Sequence, residues 1–490
     1  MKRNTRREFC AAAAGSALAA KAQTSSRPNI VFVLTDDQGY GDIAAHGNPV
    51  IKTPNLDRLH HESVRFTDFH ASPTCSPTRA AIMTGRHEFK SGVTHTIFER
   101  ERMSLKSATL AETLKRAGYA TGIFGKWHLG DAEPYQPGNR GFDEVFIHGC
   151  GGIGQEYPGT CSDAPGNTYF DPVIRHNGRF ERTHGYCTDV FFGQALQWIE
   201  KSVDAGKPFF AYITPNAPHE PLMCPDEYRR MYSRLDLDEN TQKYFGMCTN
   251  IDDNVGKLMN RLADWGVEKN TVLIFMTDNG GTGGVRVFNA GMRGAKATPY
   301  QGGTRVPLFV RWTGTLQPGE RKNLAAHIDL FPTLAEIAGA PIPANVPLDG
   351  RSLAPLLRDP LASWPDRYLF THVGRWDKGK AADSKYLRCR VRNARFSMVN
   401  AKAGKSWELY DLSADPGERQ DIAASNAETV ERMDAAYAAW WTSILPKLEN
   451  EDAIPPSIQP FKRLFFQQYG GGPGIDPRNA AAAPQAPNQR

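Results

Sequence analysis

The sequence predicts an α/β fold: a large, mixed, mostly parallel sheet sandwiched by helices, followed by a smaller C-terminal domain of antiparallel sheet plus helix. Residues 29–35 and 271–277 form short, almost wholly apolar runs, which are typical of strands buried on both faces of a parallel sheet. Amphipathic helical patterns and further strand-like runs lie between them. Residues 131–187 are rich in Gly and Pro and lack a clear periodicity, so we expect an irregular insertion or functional loop there. After the proline-rich residues 341–365 the pattern changes to short strands and one long helix, which indicates a second domain.

These patterns divide the 490 residues into four segments. We expect a signal peptide at 1–22, the catalytic domain at 23–345, the C-terminal sheet-plus-helix subdomain at 346–450 and a partly disordered tail at 451–490. Residues 470–490 are rich in Gly, Pro and Ala, a composition that favours disorder.

The N-terminus has the features of an export signal. The basic stretch Lys2–Arg7 precedes the Ala-rich run Ala11–Ala20, and Ala20-Lys21-Ala22 is a small-x-small cleavage signal. Thr5-Arg6-Arg7-Glu8-Phe9 resembles a bacterial twin-arginine signal. We therefore expect an exported protein, periplasmic or extracellular; an ordinary secretory signal or a disordered basic tail are the alternatives. No apolar run reaches the ~18 residues of a membrane-spanning helix.

The charge of the chain gives no reason to expect a nucleic-acid partner. The formal net charge is +5, but residues 1–22 contribute five basic residues and one acidic residue, which leaves +1 for the rest. A chain without a broad basic field has little to attract nucleic acid or a membrane surface. An anionic substrate would have to be held by a few well-placed cations.

Eight cysteines are present, of which Cys10 lies in the predicted signal. Apart from Cys10 and Cys75, six remain, and disulfides are possible in an exported chain. Cys150 with Cys161 is the local bridge we expect, while the other pairings stay open. The absence of a Cys-x-x-Cys pair argues against a zinc site.

Cys75 lies at a predicted helix start. Pro77 has the φ angle of a first helical turn, Ala80–Met83 are good helix formers and Gly85 supplies a stop. Free N–H groups and the helix dipole favour negative charge at this end, and Arg79 lies on the same helical face. The pattern suits an anionic reacting group beside a cation, although a lone cysteine there is more often an inert buried side chain.

Oxygen ligands follow both buried strands. Asp36 and Asp37 come directly after the first strand, and Asp278 and Asn279 come directly after the second. Acids in such positions can be ordinary loop residues, but open α/β sheets bind their ligands at the carboxyl ends of the strands. Three carboxylates and an amide carbonyl suit a hard cation, Ca²⁺ in the first place and Mg²⁺ in the second.

Basic residues occupy three further loops. Lys126 and His128 lie in Gly-Lys-Trp-His-Leu-Gly, where their spacing puts them on one face of an extended chain and the glycines indicate a close backbone approach. His219 stands among prolines after the predicted strand 208–214, and Lys296 lies in a Gly-rich loop. Each alone could be an ordinary solvated or packed side chain.

Taken together, these motifs resemble the signatures of the type I, formylglycine-dependent sulfatases, arylsulfatase-like members of the alkaline phosphatase superfamily. Three motifs match: Cys-x-Pro-x-Arg followed by Ala-Ala-x-x-Thr-Gly-Arg, Gly-Lys-Trp-His-Leu-Gly, and Gly-x-Lys-x-x-x-Tyr-x-Gly-Gly-x-Arg-x-Pro. They follow the family order within residues 28–440. Thr78 is tolerated because Cys75, Pro77 and Arg79 carry the core of the first signature. The resemblance implies an alkaline-phosphatase-like fold and a sulfuric ester hydrolase that releases inorganic sulfate.

The resemblance also implies the chemistry of the site. A maturase converts Cys75 to Cα-formylglycine, and one hydroxyl of the hydrated aldehyde attacks sulfur in line. One Ca²⁺ is surrounded by Asp36, Asp37, Asp278, Asn279 and the modified Cys75. Arg79, Lys126 and Lys296 offset the charge of the sulfate, His219 with Lys296 assists the leaving alcohol, and His128 is the base that regenerates the aldehyde. Lys126, His219 and Lys296 are also the expected substrate-binding residues.

The expected substrate is a sulfated carbohydrate or an aryl sulfate, with Trp312, His372, Arg375 and Trp376 as candidate sugar contacts. Two alternatives stay open: a phosphonate monoesterase or phosphodiesterase of the same superfamily, and a non-catalytic relative that binds sulfated glycans.

Overall fold

The computed structural model describes residues 27–149, 151–156, 159–160 and 162–471. The predicted signal peptide, the predicted Cys150–Cys161 bridge and residues 472–490 of the predicted disordered tail lie outside this description.

The strands and helices are numbered in chain order. The strands are β1 (Asn29–Thr35), β2 (Val64–Phe66), β3 (Phe69–His70), β4 (Ala120–Lys126), β5 (Glu144–His148), β6 (Val173–His176), β7 (Arg179–Arg182), β8 (Phe209–Thr214), β9 (Thr271–Thr277), β10 (Leu308–Arg311), β11 (Gly319–Arg321), β12 (Ala325–Ala326), β13 (Leu369–His372), β14 (Cys389–Arg392), β15 (Phe396–Asn400) and β16 (Glu408–Asp411). The helices are α1 (Pro54–His61), α2 (Cys75–Thr84), α3 (Leu110–Arg116), α4 (Cys187–Asp204), α5 (Asp226–Arg230), α6 (Glu239–Asp264), α7 (Gln301–Thr304), α8 (Leu330–Ile337), α9 (Ala354–Arg358), α10 (Ala427–Ile444) and α11 (Pro460–Tyr469).

Ten strands form the main sheet, in the order β11-β2-β10-β9-β1-β8-β4-β5-β6-β7. Strands β9, β1, β8, β4 and β5 are parallel neighbours, so their carboxyl ends share one edge. Strand β10 and the β6–β7 hairpin run antiparallel to their neighbours. The predicted mixed, mostly parallel sheet is therefore confirmed.

Each face of the main sheet is covered by helices. Along β1, Ile30, Phe32 and Leu34 enter one hydrophobic core, while Val31 and Val33 enter the other, as the period of a strand requires. Helices α2, α3, α8, α9 and α11 pack on the first face, and α1, α4 and α6 pack on the second. This double burial explains why β1 and β9 are almost wholly apolar.

Two parts of the structure differ from the sequence-based expectation. Residues 131–187 were expected to be irregular, but they contain β5, β6 and β7, which are too short to give a clear periodicity. The 26-residue helix α6 was not predicted at all. Its pattern is hard to recognise because Asn250, Asp252 and Asn254 are buried within its core-facing stripe.

The C-terminal domain has the predicted architecture. Strands β13 to β16 form an antiparallel sheet, and α10 packs on it through a cluster that includes Tyr437 and Trp441. Within the predicted tail, α11 instead packs on the main sheet, where Phe461 is buried and Gln468 Nε2 donates to the Phe180 carbonyl at 2.6 Å. Among the described helices, none has the length and apolar character needed to cross a membrane.

Four of the six cysteines that could form disulfides are free thiols. They are Cys187, Cys224, Cys248 and Cys389. Burial raises the pKa of the Cys187 thiol above its usual range, which keeps it protonated and unreactive.

Candidate active site

The predicted site residues converge at the carboxyl edge of the parallel strands. Asp36 and Asp37 follow β1, Asp278 and Asn279 follow β9, and Lys126 is the last residue of β4. The remaining residues come from the start of α2 (Cys75 and Arg79), the segment after β4 (His128), the loop after β8 (His219) and the loop between β9 and α7 (Lys296). A single arrangement therefore contains every residue that the sequence singled out for chemistry.

Cys75 is the first residue of α2 and is only 3% exposed. The helix ends at Gly85, whose φ of 64° closes it as predicted. Ser76 Oγ donates to the His128 carbonyl at 2.8 Å, which ties the start of the helix to the loop after β4. Gly125, just before this loop, lets the chain pass close to Thr214 at the end of β8, since a Cβ on residue 125 would lie 2.1 Å from the Thr214 carbonyl oxygen.

Acidic groups crowd around Cys75. Ligand atoms of Asp36, Cys75 and Asp278 lie within 4.8 Å of one another, and so do those of Asp36, Asp37 and His219. Burial, together with the charge of Asp36, raises the pKa of Asp278 to about 7. Like charges held this closely away from water are unfavourable unless a cation lies between them.

Two buried oxygens in this cluster have no hydrogen-bond partner among the described residues: Asp36 Oδ1 and Asn279 Oδ1. The Asn279 amide is oriented by its Nδ2, which donates to Asp37 Oδ1 at 2.9 Å and to the Gly280 carbonyl at 3.0 Å. Buried polar atoms are normally satisfied. Unsatisfied carboxylate and amide oxygens beside further carboxylates therefore fit a hard divalent cation such as Ca²⁺.

Two fully buried cations lie on the other side of the acids. Arg79 donates to Asp278 Oδ2 from Nη2 at 2.9 Å and from Nε at 3.2 Å, and its Nη1 donates to the Lys126 carbonyl at 2.9 Å. Lys126 Nζ donates to Asp36 Oδ2 at 2.5 Å. Although burial opposes it, the charge of Asp36 raises the pKa of Lys126, so the ammonium stays protonated.

Asp37 joins the two basic residues that come from the later loops. Lys296 Nζ lies 2.6 Å from Asp37 Oδ1 and 2.7 Å from Oδ2, and His219 Nε2 lies 3.8 Å from Oδ2. Burial alone would raise the pKa of Asp37, but the charges of Lys296 and His219 hold it well below its usual value. The φ of 67° at Asp37 is a strained conformation of the kind found at functional sites.

The hydrogen bonds of His128 define its tautomer. Its Nε2 lies 2.8 Å from the Thr96 carbonyl, so Nε2 carries the proton. Nδ1 is then a buried lone pair, and it has no partner among the described residues. Burial and the charge of Lys126 lower the pKa of His128 well below its usual value, which keeps the ring neutral.

The structure adds His148, which the sequence analysis did not select. It is the last residue of β5 and pairs in register with Lys126 of β4. Its Nδ1 donates to the Gly149 carbonyl at 2.7 Å, its Nε2 is buried without a partner in the described chain, and burial lowers its pKa to about 3. A polar residue at the end of a parallel strand was the available signal, but β5 lay in a segment expected to be irregular.

The four candidate sugar contacts do not all lie near the site. Trp312 follows β10, whose Arg311 pairs with Leu273 at the amino end of β9, so Trp312 lies at the opposite edge of the sheet and this expectation is wrong. His372 and Trp376 are buried in the core of the C-terminal domain. Only Arg375 lies close to the site residues, through its hydrogen bond to Thr96.

Comparison with known proteins finds relatives that match most of this chain. The sulfatase family model matches residues 28–340, and the model for the C-terminal part of N-sulphoglucosamine sulphohydrolase matches residues 295–436. Arylsulfatase A of Homo sapiens is 32% identical over 83% of this chain and 85% of its own length. Arylsulfatase J of Mus musculus is 28% identical over 91% of this chain and 80% of its own length. The crystal structure of Ps i-CgsB in complex with k-i-k-neocarrahexaose superposes with a TM-score of 0.76 at 27% identity, covering 90% of this chain and 97% of that one.

The fold and the site thus define a hydrolase of the alkaline phosphatase superfamily. More narrowly, the chain belongs to the sulfatase family and is a sulfuric ester hydrolase.

Proposed function

We propose that this sulfatase releases inorganic sulfate from a sulfated carbohydrate outside the cytoplasm, with a formylglycine formed from Cys75 as nucleophile and one Ca²⁺ as cofactor. The observation that carries the proposal is the position of Cys75. It lies at the start of a helix within 4.8 Å of Asp36 and Asp278 oxygens, in a site that also contains buried Arg79 and Lys126.

An unmodified Cys75 is poorly suited to this reaction. A thiolate could attack sulfur, but the product would carry no hydroxyl on the same carbon that could expel sulfate. A hydrated aldehyde at this position supplies both the nucleophile and the means of release. The proposal therefore requires a maturase that acts on Cys75 before export.

Asp36, Asp37, Asp278, Asn279 and the modified residue 75 would hold the Ca²⁺. Their buried, unsatisfied oxygens support this assignment. The bound ion supplies positive charge that stabilises negative charge on the sulfate oxygens and on the nucleophile.

The basic side chains of the chain itself orient the sulfate and offset its charge. Asp278 holds Arg79 in place, and Asp36 holds Lys126 in place. These two cations are therefore preorganised and need no rearrangement when sulfate binds. Lys296 retains 17% side-chain exposure and can turn from Asp37 toward the substrate. The charge of Asp37 raises the pKa of Lys296 although burial opposes it, so Lys296 donates as a cation.

His219 and His128 move protons at opposite stages of the reaction. His219 Nδ1 donates to the Glu220 carbonyl at 2.6 Å, which leaves Nε2 facing the site. Burial and the charge of Lys296 lower its pKa to about 4, and the negative charge of an adjacent sulfate ester would raise it. His219 then protonates the leaving oxygen, whereas His128 accepts a proton at its free Nδ1 during sulfate release.

Two observations support a carbohydrate outside the cytoplasm. The solved relative with the TM-score of 0.76 was crystallised with a neocarrahexaose. The N-terminal sequence has the n-region, the Ala-rich run and the cleavage site of an exported protein.

Sulfate release by the mature protein tests the proposal. Protein whose aldehyde has been verified by mass spectrometry is incubated with carrageenan, fucoidan, ulvan and glycosaminoglycan oligosaccharides and with aryl sulfate. The proposal predicts sulfate from at least one oligosaccharide and none from the Cys75→Ala variant. Release from aryl sulfate alone would contradict the carbohydrate assignment, and no release at all would favour a glycan-binding relative.

Matched aryl esters test the remaining alternative. Initial rates on an aryl sulfate, an aryl phosphate diester and an aryl phosphonate with the same leaving group are compared under one condition. We expect the sulfate to react fastest, whereas a faster phosphonate or phosphodiester would identify a phosphonate monoesterase or phosphodiesterase.

A further inference from the structure

A second group of basic side chains lies beside the active site, where the two domains meet. We name His95, Arg375 and Arg388 the rim cluster. Arg375 and Arg388 belong to the C-terminal domain, and the Val373 amide donates to the Arg388 carbonyl at 3.0 Å, which holds their two segments together. The Arg375 amide donates to the Thr94 carbonyl at 3.1 Å, which anchors them on the catalytic domain.

One residue separates the rim cluster from the active site. Arg375 Nη2 donates to Thr96 Oγ1 at 3.1 Å, and the carbonyl of the same Thr96 accepts from His128 Nε2 at 2.8 Å. Arg375 and His128 therefore contact the same residue, which places the rim cluster next to the active site.

The two arginines of the rim cluster are not neutralised. Arg388 has no hydrogen bond or ion pair from its side chain within the described residues, and Arg375 Nε is buried without a partner there. Burial and the charge of Arg375 together lower the pKa of Arg388. The neighbouring Arg100 behaves differently, since it pairs with Glu451 at 3.3 Å and donates to the Trp376 carbonyl at 2.7 Å.

His95 contributes a third donor. Its Nδ1 accepts from the amides of Thr96 at 2.8 Å and Ile97 at 3.1 Å, so the proton lies on Nε2. Burial and the charges of Arg375, Arg100 and Arg388 lower its pKa to about 3, which keeps the ring neutral. The rim cluster thus presents donors only, and such a set is satisfied by an anion.

The backbone at both arginines is strained. The φ angles are 58° at Arg375 and 48° at Arg388, in the left-handed region that side chains other than glycine rarely adopt. Next to Arg375, the backbone of Gly374 packs closely against Thr94, since a Cβ on Gly374 would lie 2.1 Å from the Thr94 carbonyl oxygen. Strain of this kind persists where the surrounding structure imposes it, often at ligand sites.

We propose that the rim cluster binds a second anionic group of the substrate, a sulfate ester or a uronate carboxylate on a sugar next to the one that is desulfated. This inference rests on the proposed carbohydrate substrate. Guanidinium groups match the paired oxygens of both anions, so the shared chemistry is a planar, bidentate contact. The active-site cations bind the sulfate that is removed, and the rim cluster selects substrates with an additional negative charge.

Binding to a catalytically silent protein tests the inference without turnover. Cys75→Ala is titrated by calorimetry with an ι-carrageenan tetrasaccharide, whose anions are all sulfates, and with a trisulfated heparin disaccharide, which adds a uronate. Adding Arg388→Gln should weaken binding of at least one sugar by about tenfold or more, as expected for a lost charged hydrogen bond, and should flatten the salt dependence. A loss of affinity for the carrageenan tetrasaccharide identifies a sulfate ester as the anion, whereas a loss confined to the heparin disaccharide points to its uronate.

Two further variants control the experiment. Arg388→Lys keeps the charge and should retain most of the affinity, which separates charge from folding. Arg58→Gln makes the same change on α1 near Asn260, away from the site, and should leave the affinity within about twofold of the parent. Equal affinities for the Arg388→Gln and Arg58→Gln proteins, or no binding of either sugar to Cys75→Ala, would overturn the inference. Failure of the proposed function would appear separately, as an aldehyde-bearing wild type that releases no sulfate.

Discussion

The buried pair of Arg79 and Asp278 gives the sharpest test of how the active site is held together. Arg79 is 1% exposed and Asp278 is fully buried, and two hydrogen bonds of 2.9 and 3.2 Å join them. Removing one partner of such a pair leaves an uncompensated buried charge and costs about 3–5 kcal/mol of unfolding free energy. Replacing both partners with neutral groups of similar volume removes the pair together with its desolvation penalty, and is often close to neutral.

We therefore expect Arg79→Met to destabilise the protein by about 3–5 kcal/mol, and Arg79→Met with Asp278→Asn to cost at least about 2 kcal/mol less than the sum of the two single changes. The measurement is urea unfolding at pH 8 in the presence of a chelator. This pH lies above the value of about 7 to which burial and Asp36 raise the pKa of Asp278, so the carboxyl is largely ionised.

An exposed ion pair is the matched control. Arg395 Nη2 lies 2.7 Å from Asp411 Oδ2, but the Arg395 side chain is 64% exposed. Arg395→Met should cost no more than about 1 kcal/mol. If the costs at Arg79 and Asp278 simply add, to within about 0.5 kcal/mol, the pair is not an energetic unit and the reasoning fails.

Three further predictions concern the cation, a buried acid and the base. Ca²⁺ at about 100 times its dissociation constant should stabilise the chelated wild type by about 3 kcal/mol and Asp36→Asn much less, by thermal unfolding; equal effects would contradict the assigned ligands. Burial and Glu99 raise the pKa of Glu101 to about 8, so the unfolded chain binds fewer protons than the folded one between pH ~4.5 and ~8 and stability falls as pH rises. Glu101→Gln should therefore raise the unfolding free energy by up to about 5 kcal/mol at pH 8.5 and by less than about 1 kcal/mol at pH 5, and a pH-independent effect would refute this cause. His128→Asn should lower kcat for sulfate release by about 10²–10⁴-fold, and a loss below tenfold would exclude His128 as the base.

Local sequence patterns predicted the parts of the fold and of the site that depend on buried strands. The apolar runs that became β1 and β9, each followed directly by acids, predicted both the parallel sheet and the edge at which Asp36 and Asp278 meet. The functional significance of His219 and Lys296 came from the resemblance instead, because a single basic residue in a loop has no distinguishing local pattern.

Three features of the structure were misplaced or missed in the sequence-based prediction, and each has a physical reason. Trp312 was misplaced because its position depends on the antiparallel direction of β10, which a four-residue strand does not reveal from its sequence. His148 was missed because β5 is short and lies in a Gly- and Pro-rich segment that has no clear periodicity. The link from Arg375 to His128 arises from the docking of two domains through Thr96, which no local pattern encodes.

The central claim is that residue 75 acts as an aldehyde formed from cysteine. The direct measurement combines mass spectrometry of the peptide that contains residue 75 with sulfate release by the same preparation, across samples matured to different extents. The account predicts that the rate of sulfate release rises in proportion to the aldehyde fraction and is zero for Cys75→Ala. Sulfate release by protein in which residue 75 is entirely unmodified cysteine would contradict it.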